Sequence, residues 1–158
     1  MYPLQDFVAR QRVDSFLAAW YPTVDSYYDI LTSRGETAVG RAVIDFVASL
    51  AVLEEELGRG SDVKEGAPFV LGKIFSLAEC VAAPWVQRFF MTLPHFRGID
   101  FEEDILSQNG FKQTAHWMRA VIDRPSVIAS KCPEDEVMAA AMRYYVSYVS
   151  PGAPADLL

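Results

Sequence analysis

The stretch Phe75-Ser76-Leu77-Ala78-Glu79-Cys80-Val81-Ala82-Ala83-Pro84-Trp85-Val86 decides how the whole chain is read. Ser76 is a good helix N-cap, and Glu79 stands three residues on. At that spacing the serine oxygen accepts from the Glu79 backbone N–H while the glutamate reaches back to the Ser76 N–H. Phe75 before the cap and Cys80 after the box are placed as a hydrophobic staple. Beyond it, Leu77, Ala78, Val81, Ala82, Trp85, Val86, Phe89, Phe90 and Met91 point in nearly every direction. Only Glu79, Gln87 and Arg88 interrupt them, so this helix has to be surrounded by others. Pro84 lies past its first turn and should distort its middle.

Helical periodicity continues on both sides. From about Leu4 to Leu31, the residues Val13, Phe16, Leu17, Trp20, Val24, Tyr27, Tyr28 and Leu31 share an arc of roughly 120°. Pro22 should kink this helix rather than end it, because the stripe resumes in phase. After Ser33-Arg34-Gly35, Val39, Val43, Phe46, Val47, Leu50, Leu53 and Leu57 mark a second helix, from about Glu36 to Leu57. Gly58 and Gly60 supply its stop. A loop then runs to Lys73, with Phe69-Val70-Leu71 pinned against the core.

Asp100 with Glu103 repeats the capping-box spacing and opens a short helix. Another covers about Phe111 to Asp123, with Phe111, Ala115, Met118, Val121 and Ile122 inward, and Arg124-Pro125-Ser126 ends it. The last begins at Pro133 and runs to about Val149. Its polar strip is narrow, at Glu136, Arg143 and Ser147, so one bundle contact would not cover its apolar surface. No strand pattern stands out. The expectation is an all-α helical bundle with a buried central helix, one domain over residues 1–158.

Composition narrows the function. The 158 residues are 51% hydrophobic with a mean hydropathy of +0.11, yet no apolar run approaches the ~20 residues of a membrane span. Met1 to Arg12 lacks the form of a signal peptide, so a cytoplasmic protein without membrane contact is expected. A net charge of −7 disfavours nucleic acid as a partner. The acidic runs Glu54-Glu55-Glu56, Glu102-Glu103-Asp104 and Glu134-Asp135-Glu136 read as solvated helix ends.

Two cysteines make no disulfide framework, and His95 and His116 have no partners at metal or triad spacing. His95 follows Pro94 in an expected loop. Cys80 reads as staple or core, and Cys132 as an ordinary loop thiol rather than a reactive one. Ser76 and Glu79, at capping-box spacing, are structural rather than nucleophile and base. No catalytic residue and no metal site is expected.

In order along the chain, these pieces resemble the C-terminal helical domain of the glutathione transferase superfamily. Phe75 to Cys80 is similar to that domain's capping box and staple, with Glu79 where the family usually has Asp. Trp117 to Val127 is similar to the stretch closing on Arg-Pro-Ser-Val, and Ala9 to Leu17 to the start of the domain's first helix. The run is most like fungal omega-type members. The resemblance implies a partner half, thioredoxin-like, that holds glutathione and the catalytic residue; no such pattern precedes Leu4. Glutathione is thus expected as cofactor only where that half is supplied, for conjugation or, in an omega-like member, thiol reduction. This chain would then wall the pocket for a hydrophobic compound.

By the same analogy, Arg12 and Tyr21 on the first helix and Tyr144, Tyr145 and Tyr148 on the last are the candidate pocket residues; core or interface packing is the plainer alternative for the aromatic ones. The other reading is a non-catalytic protein-interaction module, of the kind found in elongation-factor and aminoacyl-tRNA synthetase assemblies, with a homodimer as one possibility.

Overall fold

The computed structural model describes residues 6–59 and 67–149. Helix α1 spans Phe7–Thr32, α2 Glu36–Arg59 and α3 Leu77–Arg97; a π-helical segment follows at Phe101–Ser107, then α4 at Lys112–Ile122, α5 at Pro125–Ser130 and α6 at Glu134–Val149. The fold is all-α. The loop before α3 makes isolated β-bridges, Phe69 with Gly72 and Leu71 with Ile74, and no strand forms among the described residues. Gly60 and Leu4 lie outside the described residues. No helix among them is long and apolar enough to cross a membrane.

α1 and α2 pack as a long antiparallel pair, and α3 lies across α1 with α4 and α6 on its other sides. α1 continues through Pro22, because a proline removes only one ladder bond and the buried stripe on both sides holds the helix together. Phe16, Trp20, Phe89 and Trp117 are fully buried and meet at centroid distances of 5.0 to 6.1 Å. Each such ring contributes on the order of 2–3 kcal/mol by leaving water.

The capping box at Ser76 forms, and Glu79 does more than close it. Its carboxylate accepts from the Ser76 N–H at 2.8 Å, the Ser76 hydroxyl at 2.8 Å, the Val70 N–H at 2.7 Å and the Trp117 indole N–H at 3.2 Å. Glu79 is therefore fully buried and not a polar break on the helix surface. These bonds pin the Phe69–Leu71 loop and α4 to the start of α3.

Several expectations need correction. Cys80 is exposed, so it is neither core nor an effective staple; Phe75 instead packs its ring on Phe69, at 5.3 Å, under the Arg124 guanidinium. α3 continues past Pro94 to Arg97 and stops at Gly98, whose left-handed φ of 65° suits glycine. His95 is thus helical. The segment after Asp100 winds as a π-helix: Asp100 caps the Glu102 and Glu103 N–H groups at 3.0 Å, but the return bond to its own N–H comes from Asp104, at 2.8 Å, not Glu103. Pro125 does not merely end α4; at the first position of α5 it starts another short helix.

The acidic runs are not all solvated. Glu54 accepts from Gln113 N–H at 2.9 Å and Thr114 N–H at 2.7 Å, supplying the cap that α4 lacks locally. Glu56 is buried against Arg12, and Glu102 pairs with Arg119. Arg97 satisfies three carbonyls at the end of α1, those of Ile30, Leu31 and Ser33, at 2.8 to 2.9 Å. Burial lowers its pKa from the ordinary arginine value.

Candidate functional site

The most tyrosine-rich concavity lies where α1, α3 and α6 meet. Tyr27 and Tyr28 come from α1, Arg88 and Thr92 from α3, and Tyr144 and Tyr145 from α6, enclosing about 450 Å³. That volume is in the range of small-molecule pockets. The helical repeat explains the set: Arg88 and Thr92 stand one turn apart on α3, and on α6 Val137, Ala141 and Tyr145 recur every four residues, with Tyr145 buried and the adjacent Tyr144 59% exposed.

The floor is polar but uncharged. The Tyr27 hydroxyl lies 2.7 Å from Thr92 Oγ1, and the Thr92 hydroxyl donates to the Arg88 carbonyl at 2.7 Å. With the threonine proton so engaged, Tyr27 is the donor to Thr92. Burial, only partly offset by this bond, pushes the Tyr27 phenol up to about 12. Burial raises Tyr145 as well, aided by Tyr27 and Tyr28. Both therefore stay protonated at neutral pH and are hydrogen-bonding groups, not nucleophiles.

Around them, Tyr28 lies edge-on to Trp85 at 5.5 Å, and Tyr145 packs on Phe96 at 5.6 Å and Tyr144 at 4.8 Å. Arg88, stacked over Trp85 at 5.0 Å, and Glu136 put one charge of each sign on the lining. The arrangement suits an aromatic or alicyclic compound with a polar group, held by ring contacts and hydroxyls.

Of the five sequence candidates, the structure brings two together here. Tyr144 and Tyr145 line the cavity. Tyr148 lies beside Tyr144, at 6.4 Å, beneath the Arg34 guanidinium, and is not part of the lining. Tyr21 is 53% exposed and lines none of the cavities described here. Arg12 does not face the cleft: it donates to the Glu56 carboxylate and, at 2.7 Å, to the Glu56 carbonyl, locking α1 to α2.

In the sequence Tyr27 and Tyr28 belong to the core stripe of α1, and Arg88 is one of the few polar interruptions of a buried helix. A lone cation on such a helix was the available signal. Thr92, 65 residues from Tyr27, gave none.

A second cavity, about 480 Å³, runs between α3, α5 and the start of α6 and is lined by Cys80, Ala83, Val127 and Cys132 among others. Arg88, Cys132 and Val137 line both cavities, so the two adjoin there.

A long antiparallel pair, a buried third helix begun by a capping box, and a cleft between first, third and last helices define an all-α helical domain. The glutathione S-transferase, C-terminal domain family matches residues 36–120, more than half of the chain, and the chain belongs to that family. No curated protein and no solved structure matches it.

Proposed function

We propose that this chain forms the hydrophobic-substrate side of a glutathione-dependent transferase or thiol reductase, with glutathione and the nucleophile held by a thioredoxin-like domain. The observation that carries this reading is the tyrosine-walled cavity between α1, α3 and α6, with neutral phenols at its floor and Arg88 on its lining. Such a wall selects apolar compounds and orients a polar group, but offers no activated nucleophile. On this reading the chain by itself does not conjugate glutathione.

The test uses a fluorescent apolar anion, 8-anilinonaphthalene-1-sulfonate, titrated into the chain. Saturable binding, weakened about tenfold by Ala140→Trp on the cavity wall, is the expected result, a difference of about 1.4 kcal/mol. Binding unchanged by that substitution would reject the pocket. Turnover of a chromogenic electrophile with glutathione, well above the uncatalysed rate, would overturn the division of labour.

A second reading, a protein-interaction module or homodimer, draws on α2. Ile44 is 62% and Val52 56% exposed, two turns apart with exposed Ala48 between them. Light scattering separates the two: a strict monomer that binds the probe counts against the interaction reading.

A further inference from the structure

The outer strip of α2 reads alike from either end. Arg41, Ile44, Ala48, Val52 and Glu55 fall within an arc of about 80°, opposite the buried Phe46, Leu50, Leu53 and Leu57. All five are exposed, the Arg41 and Glu55 side chains each by 75%. Counted from Ala48, Ile44 and Val52 stand four residues out on either side, and Arg41 and Glu55 seven. The strip is thus apolar on both sides of its centre, with a cation at one end and an anion at the other. Arg41 pairs with Asp45 at 3.4 Å and Glu55 with Arg59 at 3.8 Å, each one turn along the same helix. Such solvent-exposed pairs contribute little and leave both groups able to take a second partner.

We propose that this strip is a self-pairing surface, on which a second copy of the chain lays its own α2 antiparallel about a two-fold axis at Ala48. The two-fold sets Ile44 against Val52 of the second copy, Arg41 against its Glu55, and each of these again in reverse. Ala48 meets Ala48, and a side chain that small lets the two helices approach closely. In a parallel pairing Arg41 would meet Arg41 and Glu55 would meet Glu55, so charge selects the antiparallel arrangement. The strip is about 21 Å long and one helix face wide, so the dimer is weak and concentration-dependent, with a Kd on the order of 100 µM. The inference rests on the homodimer reading of α2 given above and makes it specific. It uses nothing of the tyrosine cavity, to whose lining α2 lends no residue.

The experiment is sedimentation equilibrium on the whole chain, from about 10 to 500 µM, with circular dichroism to check that each variant stays helical. The parent should show a monomer–dimer equilibrium. Arg41→Glu alone and Glu55→Arg alone should each weaken it by about tenfold, since either change turns both end contacts repulsive. An equal mixture of those two variants should recover the parent's association, because every end contact in the mixed dimer again joins opposite charges. Each variant keeps its own in-helix neighbours in the mixture, so only a contact between chains explains recovery. Ala48→Arg, which sets two cations together at the axis, should abolish the dimer. A parent that stays monomeric throughout the range overturns both this proposal and the homodimer reading. A dimer indifferent to the charge reversals, or a mixture no stronger than its components, leaves the homodimer reading standing and removes this arrangement.

Discussion

The Glu79 carboxylate accepts a hydrogen bond from the Trp117 indole at 3.2 Å, joining the first turn of α3 to the middle of α4 across 38 residues of chain. The same oxygen takes the Val70 N–H at 2.7 Å. One buried side chain thus serves a helix cap, a loop and a neighbouring helix. Glu79→Gln keeps the shape but replaces an acceptor with a donor facing donors, and should cost about 2–4 kcal/mol in urea unfolding. Glu79→Asp, one methylene shorter, should keep the cap but lose reach to Val70 and Trp117, costing about 1–3 kcal/mol. An Asp variant as stable as the parent would show that those longer bonds contribute nothing.

Arg12 and Glu56 form a part-buried pair, with Arg59 as a second, exposed partner of Glu56 at 3.3 Å. Removing Arg12 leaves the buried Glu56 carboxylate with only the exposed Arg59 as its ion-pair partner. Arg12→Ala should cost about 3 kcal/mol, whereas Arg12→Met with Glu56→Met should recover most of it. Probe binding in the tyrosine cavity should be the same in all variants that fold. A double-mutant cycle by denaturant unfolding, paired with the fluorescence titration, measures both; a loss of probe affinity in Arg12→Met with Glu56→Met would return Arg12 to the pocket.

Tyr27 gives the stability a defined alkaline limit. Its folded pKa of about 12 lies above the ordinary 10.0, so between those values the folded chain retains a proton that the unfolded chain releases. Its contribution is complete below pH 10 and is lost as pH rises toward 12. Tyr145, also raised, acts in the same direction. The urea midpoint should fall over this window, and Tyr27→Phe should make the decline shallower. An identical slope in the variant would remove Tyr27 as its source.

Much of the fold was legible in the chain because helices state themselves locally. The stripe from Val13 to Leu31, the stripe from Phe46 to Leu57 and the Ser76–Glu79 spacing each lie within one element, and each formed. Where the reading failed, the partner lay far away in sequence. Glu54 looked like a solvated acid because its Thr114 partner is 60 residues off. Arg12 looked free to line a cleft because Glu56 is 44 residues off. His95 reads as loop because proline weakens a helix locally, whereas packing of Phe89 and Leu93 carries α3 through.

The site divides in the same way. Tyr144 and Tyr145 were candidates from the aromatic face of α6, but Tyr21 and Tyr148 are aromatic too, and only packing told them apart. By itself the sequence determined that the chain is helical, where most helices begin, and which one is central, since periodicity and capping are contacts between near neighbours. Only the tertiary structure decided that Glu79 is a buried hub, that Tyr27 and Arg88 share a cavity with α6, and that both thiols face one space. Those facts depend on how helices cross, and a crossing joins residues that no local pattern connects.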